Sequence, residues 1–422
     1  MLKPFAILAL LASYPAQAGA ADVKSVIASP AYKRAVASLD REHDRIVDEI
    51  VTLTEIPAPP FKEKARGEAY LAMLRSAGLT DVETDAEGNV MGLRRGTGPA
   101  GGPLVVIAAH LDTVFPEGTP IKVRREGTHL LAPGIGDDSR SLAILLAYAR
   151  ALNAAGVRTA RDILFVGNVG EEGPGDLRGT RFLFGKGRYK DRIQAFFSMD
   201  GTDGARIVNR GVGSKRYRVT FSGPGGHSYG AFGLVNPMAA MSQAVVDLYR
   251  LDVPKSPKTT YSASVTGGGT SVNSIPDKVF MEFDMRSESA EELARLDQRF
   301  RAIVTAAVEG ENRARLTREG KVAADMKVIG ERPAGGTPET AELVRVAQAA
   351  VAAQGLKPEL MASSTDSNLP MSLGIPAITI GSGGSGGRAH SVDEWIDVAK
   401  PASLKGMLPG LAMLLAMADL QK

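Results

Sequence analysis

The sequence predicts an α/β fold in which a mostly parallel sheet, covered by helices, is interrupted by a second, α+β unit. Two observations carry this expectation. Short continuous apolar runs rich in β-branched residues alternate with helical stretches, the pattern of strands buried on both faces. In the middle of the chain the period changes, and half-exposed strands with polar and apolar residues in alternation accompany two amphipathic helices. The 422 residues suit two domains, or one large domain with an insertion.

The N-terminus reads as an export signal. Lys3 gives a basic start, Phe5–Ala12 an apolar core, and Ala16-Gln-Ala18 a small-residue cleavage site, so residues 1–20 are expected to be removed on export to the periplasm or the medium. Helical spacing follows over Arg41–Leu53 and Glu63–Ala77, with Gly78 as a stop and Pro57, Pro59 and Pro60 fixing the loop between them. Pro103–Ala109, Asp162–Val166, Ala195–Met199 and Ala377–Ile380 are the expected buried strands, with helices over Ser139–Asn153 and Asp366–Leu373. Ser214–Ser222, Thr259–Val265 and Lys278–Met285 are the half-exposed strands, and Pro237–Leu251 and Ala290–Val308 the amphipathic helices. The expected division is a catalytic domain over 21–210, an inserted unit over 211–324, and the rest of the catalytic domain over 325–422. The apolar stretch Met407–Met417 is too short to span a bilayer and reads as a core helix.

Composition narrows the chemistry. A net charge of +3, 5% aromatic residues and a single Trp argue against a nucleic-acid partner. With no cysteine, disulfides, thiolate metal sites and cysteine nucleophiles are excluded, and a metal would need His, Asp or Glu. Of the five histidines, His43 lies among charged residues and is expected at the surface, and His129 in a polar turn is expected to be structural.

Ligands of open α/β sheets bind at the carboxyl ends of the strands. Polar groups collect at those places here: His110-Leu-Asp112 after the first buried strand, Gly134-Ile-Gly-Asp137-Asp138 before a helix, Gly170-Glu171-Glu172-Gly173 after the second, Asp200-Gly201 after the third, and His390 beyond the fourth. Two imidazoles and several carboxylates suit zinc first, then cobalt or manganese, and the excess of carboxylates suggests two ions. Asp138 is expected to cap the helix rather than to bind metal.

In their order, these motifs resemble the dinuclear zinc exopeptidase and deacylase family, which includes glutamate carboxypeptidase, peptidase T, dipeptidases, acetylornithine deacetylase and the aminoacylases. The resemblance runs from about Asp40 to Leu420, and Glu331-Arg-Pro-Ala-Gly with Ser364–Asn368 looks most like the peptidase T-like branch. It implies a zinc-exopeptidase-like sheet with a lid and dimerisation domain, and an activity on short peptides through water activated by two divalent ions. One ion would take His110 and Asp200, the other Glu172 and His390, with Asp137 between them. Asp112 would accept the second N–H of the His110 ring, and Glu171 would be the general base. His227, in Gly225-Gly-His-Ser-Tyr-Gly, would reach a partner subunit's site and polarise the scissile carbonyl, which implies a homodimer. Asn273 and Arg286 would hold the substrate, the arginine on its carboxylate. Ser364–Asn368 and the loop Gly381–Gly387 are expected in the same cleft. An N-acyl amino acid deacylase is the alternative within this chemistry, and a non-catalytic periplasmic binding protein the alternative outside it.

Overall fold

The computed structural model describes residues 22–421, so the expected export signal lies outside the described residues. The main sheet has nine strands. Its centre is Leu104–His110, paired in parallel with Asp162–Asn168 on one side and Ile193–Met199 on the other. Ala377–Ile380 extends it in parallel beyond Ile193–Met199, and Arg206–Gly211 joins that strand antiparallel. An antiparallel hairpin, Thr80–Thr84 with Val90–Arg94, closes the far edge against Asp162–Asn168.

The apolar runs form these strands because both faces are covered. Along Leu104–His110, Val105, Ile107 and Ala109 enter one large core with the helices Arg140–Ala154, Glu342–Ala353 and Lys400–Met417. Leu104, Val106 and Ala108 face the opposite way, against Leu183, Phe184 and Tyr189. Successive side chains of a strand point to opposite faces, so neither register position tolerates a polar group here. The C-terminal helix is buried along its apolar length, and among the described residues no helix is long and apolar enough to cross a membrane.

The second unit is a four-stranded antiparallel sheet, in the order Thr259–Gly268, Lys278–Ser287, Gly213–Ser222, Ala323–Arg332. The helices Pro237–Leu248 and Ala290–Ala314 pack on one face, around Phe221, Phe283 and Phe300. The last strand runs past 324: it stays paired with Gly213–Ser222 as far as Arg332, so the inserted sheet ends eight residues beyond the exit expected from the sequence. Alternation alone hid this, because Ala323–Arg332 is largely exposed and carries few apolar marks.

His43 departs from expectation. It is buried at the start of the helix His43–Thr54, close to Arg140 and Lys400, and burial lowers its pKa. The helix Pro30–Arg41, which the sequence reading did not anticipate, packs beside it on Arg140–Ala154 and helps to cover this region. His129 sits on a short strand with its ring edge-on to Trp395 at 5.0 Å, away from the carboxylate cluster.

Candidate metal centre and active site

The strand ends bring the predicted residues together. His110 is the last residue of its strand, Glu171 and Glu172 follow Asp162–Asn168, and Asp200 follows Ile193–Met199. His390 arrives from a loop and holds a left-handed backbone at φ 65°, a region non-glycine residues enter at a cost and keep at constrained sites.

Asp137 is the centre of the cluster. Its Oδ1 lies 2.9 Å from His110 Nε2 and its Oδ2 3.2 Å from His390 Nε2, so each carboxylate oxygen faces a different imidazole. Glu172 Oε1 is 3.0 Å from the same His390 nitrogen. Donor atoms of His110, Asp137 and Glu172 lie within 4.8 Å of one another, and so do those of His110, Asp138 and Asp200. Two overlapping ligand groups therefore share His110.

The electrostatics show what this cluster lacks. Contacts with Asp137 and Glu172 push His390 up to about 10. The His110 ring is pushed well above its usual range by Asp138 and Asp137, although its burial acts the other way. Asp200 rises to about 6, through burial and then the neighbouring charge of Asp137. Carboxylates crowded in a buried site call for positive charge. Two imidazoles and several carboxylates without a thiol match the donor preference of zinc and of harder divalent ions, so the residues fit the metals that the sequence implied.

Two assignments change. The Asp112 carboxylate does not accept from the His110 ring: its Oδ1 is 3.7 Å from Nδ1, whereas the Asp112 main-chain oxygen is at 2.9 Å. The carboxylate instead accepts the main-chain N–H groups of Glu171 and Glu172, at 3.0 and 2.8 Å. Asp112 thus orients the imidazole through its backbone and holds the Glu171–Glu172 turn with its side chain. Asp138 is not a helix cap, since the helix Arg140–Ala154 begins after Ser139 without a side-chain cap. Its buried carboxylate accepts the His110 main-chain N–H at 3.1 Å and reaches within 4.0 Å of His110 Nε2.

Glu171 is buried beside a cavity of about 480 Å³, a size within the roughly 300–1,000 Å³ of small-molecule sites. Burial pushes its carboxyl well above the usual range, against the opposing charge of Arg332. Arg332 Nη1 donates to its Oε1 at 2.9 Å, and Arg332 Nη2 donates to the Glu171 main-chain oxygen. A buried carboxylate beside a cavity, held by an arginine, is placed as a candidate general base. The same cavity is lined by Asp137, Glu172, Asp200, Arg286, Ser364 and His390.

The remaining predicted residues are not part of this wall. His227 is exposed on a two-residue strand paired with Ser274–Ile275, and its Nδ1 accepts from the N–H groups of Tyr229 and Gly230, both at 3.2 Å. Asn273 lies beside it, its main-chain oxygen accepting from Ser228 N–H at 2.9 Å. The loop Gly381–Gly387 does not line the cavity either. Its glycines permit a close backbone crossing: a Cβ on Gly383 would sit 2.1 Å from the Gly406 carbonyl carbon.

Three residues of the site were given no individual role by the sequence reading, although Arg332 and Asp366 lie in segments it singled out. Glu394 accepts the main-chain N–H groups of Gly134, Gly136 and Asp137, each at 2.8 Å, and so holds the turn that presents Asp137. Arg332 was visible only as part of a peptidase T-like segment. Asp366, buried and raised to about 6, accepts from Asn168 at 2.7 Å behind the Glu171 turn.

The model of the peptidase family M20/M25/M40 matches residues 106–419, which contain every residue of this centre. The chain belongs to this family. M20 membership makes it a metallohydrolase acting on amide bonds. Solved structures share the fold. An aminopeptidase PepT from Bacillus cereus is 21% identical, covering 89% of this chain and 99% of that one at a TM-score of 0.70. A tripeptidase from Staphylococcus aureus is 19% identical, covering 89% and 98% at 0.72. The YXEP protein of Bacillus subtilis, described as a dinuclear metal-binding M20 peptidase, is 18% identical, covering 89% and 99% at 0.64. The mostly parallel sheet with its inserted unit is thus the M20 architecture.

Proposed function

We propose that the protein is an exported, homodimeric exopeptidase that hydrolyses short peptides with two divalent ions, zinc foremost. The observation that carries this reading is Asp137, whose two carboxylate oxygens each face one imidazole while Glu171 stands beside Glu172 at the cavity. His110 and Asp200 would hold one ion, Glu172 and His390 the other, with Asp137 between. Bound there, the ions supply Lewis-acid polarisation of the amide carbonyl and a lowered pKa for the attacking water. Glu171 takes the proton of that water and returns it to the leaving amine, and Arg332 keeps the carboxylate aimed throughout. Arg286 at the cavity wall pairs with a substrate carboxylate. The printed names of the PepT and tripeptidase structures favour short peptides over acylated amino acids.

Treatment with chelator is expected to abolish release of free amino acid from di- and tripeptides, and zinc, cobalt or manganese to restore it. A chain that binds metal but turns over no peptide or N-acetyl amino acid would sink the hydrolase reading in favour of a binding protein. Export rests on residues 1–20 alone, and sequencing the N-terminus of the mature protein tests it.

Dimerisation is supported by His227. It stands outside its own cavity with Nδ1 engaged and the ring exposed, next to the exposed Tyr229, Phe232 and Val272. A partner's active site would cover these groups, and His227 would stabilise the oxyanion there. His227→Ala and Glu171→Ala are each expected to be inactive. Mixed and allowed to exchange subunits, they should regain about a quarter of the wild-type activity, because random pairing of two protomers rebuilds one complete site in each mixed dimer. Failure of any mixture to regain activity would count against the shared site.

A further inference from the structure

Four guanidinium groups, those of Arg206, Arg216, Arg286 and Arg332, line the single cavity beside Glu171. Their acidic partners are unevenly distributed among them. Arg332 is answered by Glu171 at 2.9 Å. Arg216 and Arg286 share Asp284, whose two oxygens take one guanidinium each, at 3.0 and 2.7 Å. Asp176, another acid near this wall, is engaged by Arg181 and by the Glu331 N–H, and it also lies within electrostatic reach of Arg332 and Arg216. Arg206 has the weakest partner of the four, the Asp200 main-chain oxygen at 3.5 Å, and Asp200's own carboxylate belongs to the metal cluster. Among the described residues the Arg206 guanidinium therefore has no carboxylate within ion-pair distance, whereas a simple peptide would bring a single terminal carboxylate to Arg286.

We propose that Arg206 is the anchor of a second carboxylate subsite, so that the enzyme selects short peptides carrying two carboxylates: a terminal one on the Arg216–Arg286 pair and an acidic side chain at Arg206. Guanidinium groups hold carboxylates in a directed, bidentate manner, and a desolvated wall strengthens the pairing. An uncharged isostere would leave the Arg206 guanidinium facing the cavity without an anion. The inference rests on the amide-hydrolase reading above and narrows its substrate class.

The test compares Ala-Glu with Ala-Gln, which differ in charge but hardly in shape, on the metal-restored full chain. The wild type is expected to favour Ala-Glu by about tenfold to hundredfold in kcat/KM. In Arg206→Gln that ratio is expected to collapse to about one, whereas a merely structural role would slow both substrates and leave the ratio intact. Should the variant fail to fold, the wild type supplies a second readout: free glutamate should inhibit competitively and glutamine far less. Equal turnover of the two dipeptides, a ratio unchanged in Arg206→Gln, or equal inhibition by both amino acids would overturn the second subsite while leaving the hydrolase intact. Turnover of neither dipeptide, nor of any other amide, would overturn the hydrolase reading and this inference with it.

Discussion

Glu171→Gln is expected to lower kcat by about 10²–10⁴-fold, the usual worth of a positioned general base, while the bound metal stays at its wild-type level. Its carboxylate is outside both ligand groups, which are built on His110, Asp137, Glu172, Asp138 and Asp200. Glutamine keeps the shape and an oxygen for Arg332, which donates at 2.9 Å to one Glu171 oxygen, so the turn held by Asp112 should survive. What it loses is the ability to gain a proton, and burial has given Glu171 an unusually high affinity for one. Steady-state kinetics beside metal analysis of the same preparation separates the roles. Activity within a few-fold of the wild type would remove Glu171 as the base, and depleted metal would make it a ligand.

Asp137→Asn should be more severe, with activity and metal lost together. Asp137 is the residue whose two carboxylate oxygens reach both imidazoles, so a neutral amide weakens both sites at once. Losing only an outer hydrogen-bond partner of a ligand costs roughly 10–100-fold in metal affinity, and loss of a shared ligand should exceed that. The main-chain N–H of residue 137 keeps its bond to Glu394, so circular dichroism should report an intact fold. Retention of two ions by Asp137→Asn would refute the bridging arrangement.

Much of the catalytic half could be read locally. The run Leu104–His110 has no polar residue before its last position, and both of its faces proved to be buried in cores. Side-chain period and burial are properties of a few consecutive residues, so they leave a mark in the sequence. The Glu171–Glu172 pair between Gly170 and Gly173 is legible for the same reason: adjacent side chains reach one site only from a turn, and Gly170 adopts φ 70° there. Long-range partners leave no such mark. Glu394 holds the Asp137 turn across more than 250 residues of chain, and its three acceptor contacts are to main-chain N–H groups that any sequence possesses. The role of Arg332 was hidden too, although its segment was singled out, because an arginine at the end of an exposed strand looks like a surface residue until the fold places it against Glu171.

Asp112 and Asp138 show where residue type and residue role part company. The sequence marked Asp112 as a member of the site and Asp138 as a helix cap, yet which oxygen meets which donor depended on angstrom-scale placement. The Asp112 carboxylate turned to the Glu171–Glu172 backbone and left the His110 ring to its own carbonyl. The same holds for the arginines. Nothing local distinguishes Arg206 or Arg216 from the other basic residues of the chain, and only the packing of the inserted sheet against the strand ends brings them to one cavity. Sequence alone thus carried the strand pattern and the order of the polar motifs at the strand ends, because these are written within a few neighbouring residues. Which carboxylate faces which imidazole, what holds the turns, and which arginines reach the cavity were settled in three dimensions, since each depends on groups far apart in the chain whose interaction exists only once the core has closed around them.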